Sequence, residues 1–134
     1  MENNIRCKQR FDNFSKAYIL LAEIKDYNDS TLDIIKQGFI QRFEIAFELA
    51  LKTTKDYLTY SGHTVQPSPR QVIKEAFTIE VITNGHAFIN MLDAKNLIAH
   101  TCDKVFFNEI FLQIKNEFEP ALGDLVNFYK EVLS

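Results

Sequence analysis

Apolar residues recur along most of this chain at steps of three and four, the repeat of an α-helix that buries one side. Phe11, Phe14, Tyr18, Leu21 and Ala22 keep that step and predict a first helix from about Ile5 to Lys25. A polar break from Asp26 to Asp29 follows, after which Ser30 is placed to cap a second helix. Ile35, Phe39, Phe43, Ala46, Ala50, Thr53, Tyr57 and Tyr60 alternate four and three up to Gly62, a natural residue just past a helix end. Such a helix is roughly 48 Å long at 1.5 Å per residue, against a radius of gyration of about 14 Å for a compact chain of this length. It must run along an elongated bundle or along a partner.

The second helix also carries apolar residues off its main stripe, at Ile40, Ile45, Phe47, Leu49, Leu51 and Leu58. A helix apolar on more than one side is buried on more than one side, which hints at dimerisation, and Gly38 within it would suit close approach by another helix. After a loop from His63 to Pro67, Ser68-Pro69-Arg70-Gln71 reads as a capping box with Pro at the first helical position, opening a third helix towards Phe77. Thr78 to Thr83 has strand-like residues but no second strand to pair with, so it is read as a helix end and connection. Asn84-Gly85 marks a turn, and a fourth helix follows to about His100. Asp103 caps a fifth, whose Phe107, Phe111, Ile114, Phe118, Ala121, Leu125, Tyr129 and Val132 continue the period. Pro120 is expected to kink or split it.

Composition supports this reading. Four glycines and three prolines in 134 residues amount to about 5%, against an average near 12%, too few turn formers for a sandwich or barrel. The expectation is one all-α domain over 1–134, its helix interfaces filled by twelve Phe in the absence of Trp. A net charge of −3 gives no chain-wide basic field for nucleic acid or a membrane, leaving a local basic site open. Cys7 and Cys102 match neither a disulfide framework nor a zinc site and read as reduced thiols of a cytoplasmic protein. No apolar run approaches a membrane span, and neither export nor membrane insertion is expected.

Most of these residues explain a bundle; the fourth helix carries chemistry besides. On an ideal helix Asp93, Asn96, His100 and Asp103 form one polar stripe, nearly opposite Ala87, Met91, Ala94 and Ile98. An imidazole beside carboxylates suits general acid or base work, and equally a satisfied surface network. Lys95 offers a cation for phosphate chemistry but sits about 140° from His100 on an ideal helix; the two meet only if the helix ends near His100 or two chains face each other. On the second helix Gln41, Glu44, Glu48, Lys52 and Lys55 read as a solvated face or as the wall of an acidic cleft. His63 and His86 stand alone and read as structural or exposed. No Gly-rich phosphate loop, metal-ligand cluster or nucleophile elbow occurs in the sequence, and no cofactor is called for.

Gln41-Arg42-Phe43-Glu44, Phe47-Glu48, Lys52, Lys55-Asp56-Tyr57-Leu58, Ser68-Pro69-Arg70, Glu75-Ala76-Phe77, Met91-Leu92-Asp93, Asn96, His100-Thr101 and Asp103 together resemble the nucleotidyltransferase substrate-binding protein family, helical proteins of the HEPN superfamily related to the HepT toxins. The resemblance spans roughly residues 5 to 130. It implies an antiparallel four- to five-helix up-and-down bundle, similar to the helical C-terminal domain of kanamycin nucleotidyltransferase, that forms homodimers. It implies as partner a separate minimal nucleotidyltransferase, in a pair of toxin–antitoxin type, with nucleotide or RNA as further ligands. Arg42, Glu44, Glu48, Asp93, Asn96 and His100 are then expected to line a binding cleft. In RNase relatives the motif is Arg, four residues, His, one residue and a Tyr that accepts AMP. Here Lys95, His100 and Cys102 stand at those positions. Lys95 and His100 are the catalytic pair if the chain is a metal-independent RNase, and Cys102 is a degenerate acceptor. Lys keeps the charge but not the planar fork that grips phosphate at two points.

Overall fold

The three-and-four step resolves into six helices in the computed structural model, which describes residues 2–64, 67–101 and 103–133. Val65 and Gln66, inside the expected loop, and Cys102 lie outside the described residues. The helices are α1 (Glu2–Ala22), α2 (Asp33–Tyr60), α3 (Pro69–Thr78), α4 (Gly85–Ile98), α5 (Lys104–Gln113) and α6 (Glu119–Val132). A short 3-10 turn, Glu23–Asp26, finishes α1, and a π-helical turn, Ile114–Phe118, joins α5 to α6. No strand occurs among the described residues, and none of their helices is long and apolar enough to cross a membrane.

Side-chain pairs fix how these rods lie. α1 is antiparallel to α2: Arg10 meets Asp56 at 3.1 Å near one end, and Arg42 reaches the Leu20 carbonyl at 2.7 Å near the other. α5, the π turn and α6 form one broken rod parallel to α2. Along it Phe39 faces Phe111, Phe43 stacks on Phe118 with centroids 5.0 Å apart, and the Tyr129 hydroxyl donates to Thr54 Oγ1 at 2.7 Å. α4 runs back along this rod, where the Asn90 amide donates to Glu117 at 2.8 Å. α3 is a short fifth member laid against α2 and α4. The expected all-α bundle is what the chain forms.

The long second helix is the centre of this arrangement. Ile40, Phe47 and Leu58, part of its second apolar side, are buried within the chain itself. The apolar excess that hinted at dimerisation is therefore largely absorbed by packing within the chain. Ile45 stays exposed, and around Gly38 the space where a Cβ would sit is open. Glu23 and Tyr27 line the same surface pocket as Gly38, but among the described residues no other helix comes within 4 Å of that Cβ position.

Several boundaries differ from expectation for local reasons. Ser30 does not cap α2: its backbone N–H donates to Asn28 Oδ1 in a tight polar turn, and α2 opens three residues later at Asp33 with no side-chain cap. Asn and Ser side chains offer the backbone such alternatives to a cap. The loop is held instead by two lysines. Lys36, only 6% exposed, donates to the Asp29 carbonyl and to Asn108 Oδ1, and Lys115 donates to the Tyr27 carbonyl. α3 starts at Pro69 as expected, although the Ser68 side chain makes no capping bond. Asn84 is the N-cap of α4 itself, accepting from the Ala87 N–H at 3.1 Å, and Asp103 caps α5 by accepting from Val105 N–H at 2.9 Å. Pro120 splits the last helix through the π turn just before it. Proline has no N–H for the carbonyl four residues back, and the wider turn absorbs the break while Phe111, Ile114, Phe118 and Leu122 all remain buried.

α2 and α3 end in the same way. After α2, His63 N–H reaches the Leu58 carbonyl and Gly62 N–H the Thr59 carbonyl; after α3, Val81 N–H reaches Ala76 and Glu80 N–H reaches Phe77. Both are Schellman closures, which put one residue in the left-handed region. Gly62 takes it at φ 86° without strain, whereas Glu80 takes it at φ 65° against the clash of its Cβ.

Three acids are held neutral by the core. Burial, then the nearby Asp56, pushes the Cys7 thiol from 9.0 up to about 11. Burial, then the hydrogen bond to Glu119, raises Tyr18, and burial raises Tyr129.

Glu80→Gly is expected to raise the unfolding free energy by about 1 kcal/mol and Gly62→Ala to lower it by a similar amount, both read from urea transitions. Because the folded chain keeps the Cys7 proton to higher pH than the unfolded one, the stability this group contributes is complete below pH 9.0 and is lost as pH rises from there to about 11. The tyrosines extend the loss above pH 10. Urea midpoints measured across that interval should fall, and fall less steeply in Cys7→Ala.

Candidate functional site

α4 is positioned by its buried stripe. Ala87, Phe88, Met91, Leu92 and Ala94 face the core, which leaves His86, Asp93, Asn96 and Leu97 on the outward side, all exposed. α3 lies along that outward side, and its Arg70 Nη2 comes to 3.4 Å from Asp93 Oδ1. Asp93 and Asn96 thus share one face, as the polar stripe requires. The stripe stops sooner than expected: α4 ends at Ile98, and His100 sits in the exposed turn beyond it, its N–H on the Leu97 carbonyl. Asp103 belongs to the next helix, its carboxylate used as a cap.

The α2 residues expected in the same cleft divide. Arg42 turns to α1, where its guanidinium donates to the Leu20 carbonyl, lies 3.4 Å from Glu23 and covers the Phe39 ring at 5.1 Å. It satisfies one of the open carbonyls at the end of α1. Glu44, two residues on, points about 160° away around the helix and is half-buried. Glu48 is exposed and pairs with Lys52 at 3.2 Å. Among the described residues no hydrogen bond or ion pair joins Arg42, Glu44 or Glu48 to the α4 stripe. Within this chain Arg42 and Glu44 thus make no direct polar contact with the α4 stripe.

Lys95 and His100 differ in exposure, and α4 stops two residues before His100, the condition under which the two can approach within one chain. Lys95 is half-buried on α4, one turn beyond the buried Met91, while His100 is exposed past the helix end. Cys102 lies outside the described residues. Of the isolated histidines, His63 approaches Glu75 at 3.4 Å and His86 is exposed. Among the described residues no three His, Cys, Asp or Glu side chains gather to hold a metal ion. Arg70 is the residue that spacing alone does not place here: nothing in the sequence period links positions 70 and 93, and only the docking of α3 on α4 brings them together.

Residues 9–131 match the model of the family described as nucleotidyltransferase substrate binding protein like. The chain belongs to this family. The match covers α2 to α5 entirely and most of α1 and α6, and so includes the paired α3 and α4 that carry Arg70, Asp93 and Asn96. No curated protein matches the chain.

Arg42 and Arg70 of this family member should respond differently to removal. Arg42→Ala is expected to cost about 1–2 kcal/mol in urea unfolding, since it takes away a helix-end partner and a packed stem. Arg70→Ala, which breaks only an exposed pair, should stay within about 0.5 kcal/mol.

Proposed function

We propose that this chain is the substrate-binding subunit of a two-protein nucleotidyltransferase, docking a separate minimal nucleotidyltransferase and completing its substrate site with the outward face of α4. The observation that carries this is the family match over nearly the whole chain. What supports the place is the Arg70, Asp93 and Asn96 group. It is polar and exposed, it stands on two helices fixed by core packing, and its side chains serve no core or capping role. Catalytic transfer belongs to the partner in this proposal, and α4 supplies contacts that orient the acceptor.

The subunit acts as a homodimer in this scheme. Ile34, 76% exposed, Gly38 and Ile45 follow one another along the outer side of α2 with no cover from the chain itself, and a second copy is what would bury them. It is a HEPN-type protein that works by binding, in a toxin–antitoxin setting, and Lys95, which lacks the planar fork of the Arg in the RNase relatives, favours binding over RNA cleavage.

Co-expression with a minimal nucleotidyltransferase from the same source should give one complex on gel filtration, which Asp93→Arg weakens and Glu48→Ala does not. Two proteins that elute apart with and without nucleotide would overturn the proposal. Purified chain and its His100→Ala variant should leave RNA equally intact; cleavage by the first alone would restore the RNase reading. Ile45→Glu is expected to convert a sedimenting dimer to monomer.

A further inference from the structure

Beyond the Arg70–Asp93 pair the surface between α3 and α4 continues along both helices. On the side towards the start of α4 it opens into a groove of about 480 Å³ lined by Ile73, Lys74, Phe77, Gly85, His86 and Ile89, with Thr78 at its edge. That volume is typical of a small-molecule site. Its most unusual member is Phe77, an aromatic ring left 52% exposed in a chain whose other buried and half-buried Phe fill helix interfaces. The ring is not loose. A Cβ at position 85 would sit 2.9 Å from Phe77 Cδ1, so the ring lies against the α4 backbone at the one residue that leaves room for it.

The charge of the groove is opposite to that of the chain. The whole protein carries −3, yet no carboxylate is among the lining residues, which include the Lys74 ammonium and the His86 imidazole. Neither has an ion-pair partner among the described residues. Lys74 stands three residues before Phe77, on the same side of α3. A cation and a fixed ring are therefore presented together.

The size of the groove selects among occupants. From Ile73 to Thr78 it follows α3 for about 8 Å, less than the roughly 10 Å between the first and last anchors of a docked helix. It suits one ring and one acidic group. We propose that the groove between α3 and α4 binds a small aromatic anion, the chemistry shared by mononucleotides and aryl carboxylates, with the ring against Phe77 and the acid towards Lys74 and His86. Stacking and charge are both needed, and neither depends on a nucleotidyltransferase being present.

Amide chemical shifts of the full chain, followed during separate titrations with AMP, adenosine, ribose phosphate and naphthoate, test this. AMP, naphthoate or both should bind and move amides of α3 and the start of α4, and the tighter of the two identifies the source of the anion. Adenosine and ribose phosphate should bind at least about tenfold more weakly than the better anion. Phe77→Ala and Lys74→Glu, both at exposed positions, should each weaken that ligand about tenfold while the far-ultraviolet spectrum stays that of the parent. Shifts confined to other surfaces, binding of adenosine equal to that of AMP, unchanged affinity in both variants, or no binding by either anion would overturn the proposal. Failure here leaves complex formation with the partner untouched, and failure of that complex leaves this titration unchanged.

Discussion

Everything in this fold depends on covering α2. The helix runs 28 residues, about 42 Å; its buried positions span about 140° of its circumference, from Thr53 through Phe39 and Phe43 round to Ile40, and the half-buried Leu49 and Leu51 widen that to about 200°. Two neighbours cannot cover so wide an arc. α1 takes one flank, the α5–α6 rod the centre and α3 the other flank, and α4 then closes over the rod. The order of the bundle follows from that one demand, as does the placement of α3 between α2 and α4, where Arg70 meets Asp93.

Helices and many of their ends were legible in the sequence because periodicity and caps are local properties. Pro69, Asp103 and Gly62 act within a turn of where they stand, and each does in the fold what its residue type suggests. Ser30 misleads because a local rival, the Asn28 side chain, engages its hydroxyl as well as its N–H. The second apolar side of α2 pointed to another chain because the sequence does not state which segment of the same chain will cover it. The π turn is invisible for a related reason: the apolar step runs through it from Phe111 to Leu122 without a break.

The candidate site was legible only in part. Asp93 and Asn96 lie on one helix, and three residues of spacing are enough to put them on one face. Arg42, Glu44 and His100 depend on longer-range facts: where α1 ends, which flank of α2 faces which neighbour, and where α4 stops. Arg42 is claimed by the end of α1, and the early stop at Ile98 takes His100 off the helix. The groove beside Phe77 has no sequence signature at all, since it exists only where α3 docks beside Gly85.

The pairing of the first and last helices bears on how the chain comes together as it is made. Tyr18 donates to Glu119, 101 residues on, and Phe11 packs against Tyr129. α1 and α2 are neighbours in sequence and pair early, but the apolar wall they form stays open until α6 has left the ribosome. For most of synthesis the nascent chain thus carries an uncovered strip of Phe11, Phe14 and Phe43, and it is in that interval, rather than once folded, that this protein is most exposed to aggregation.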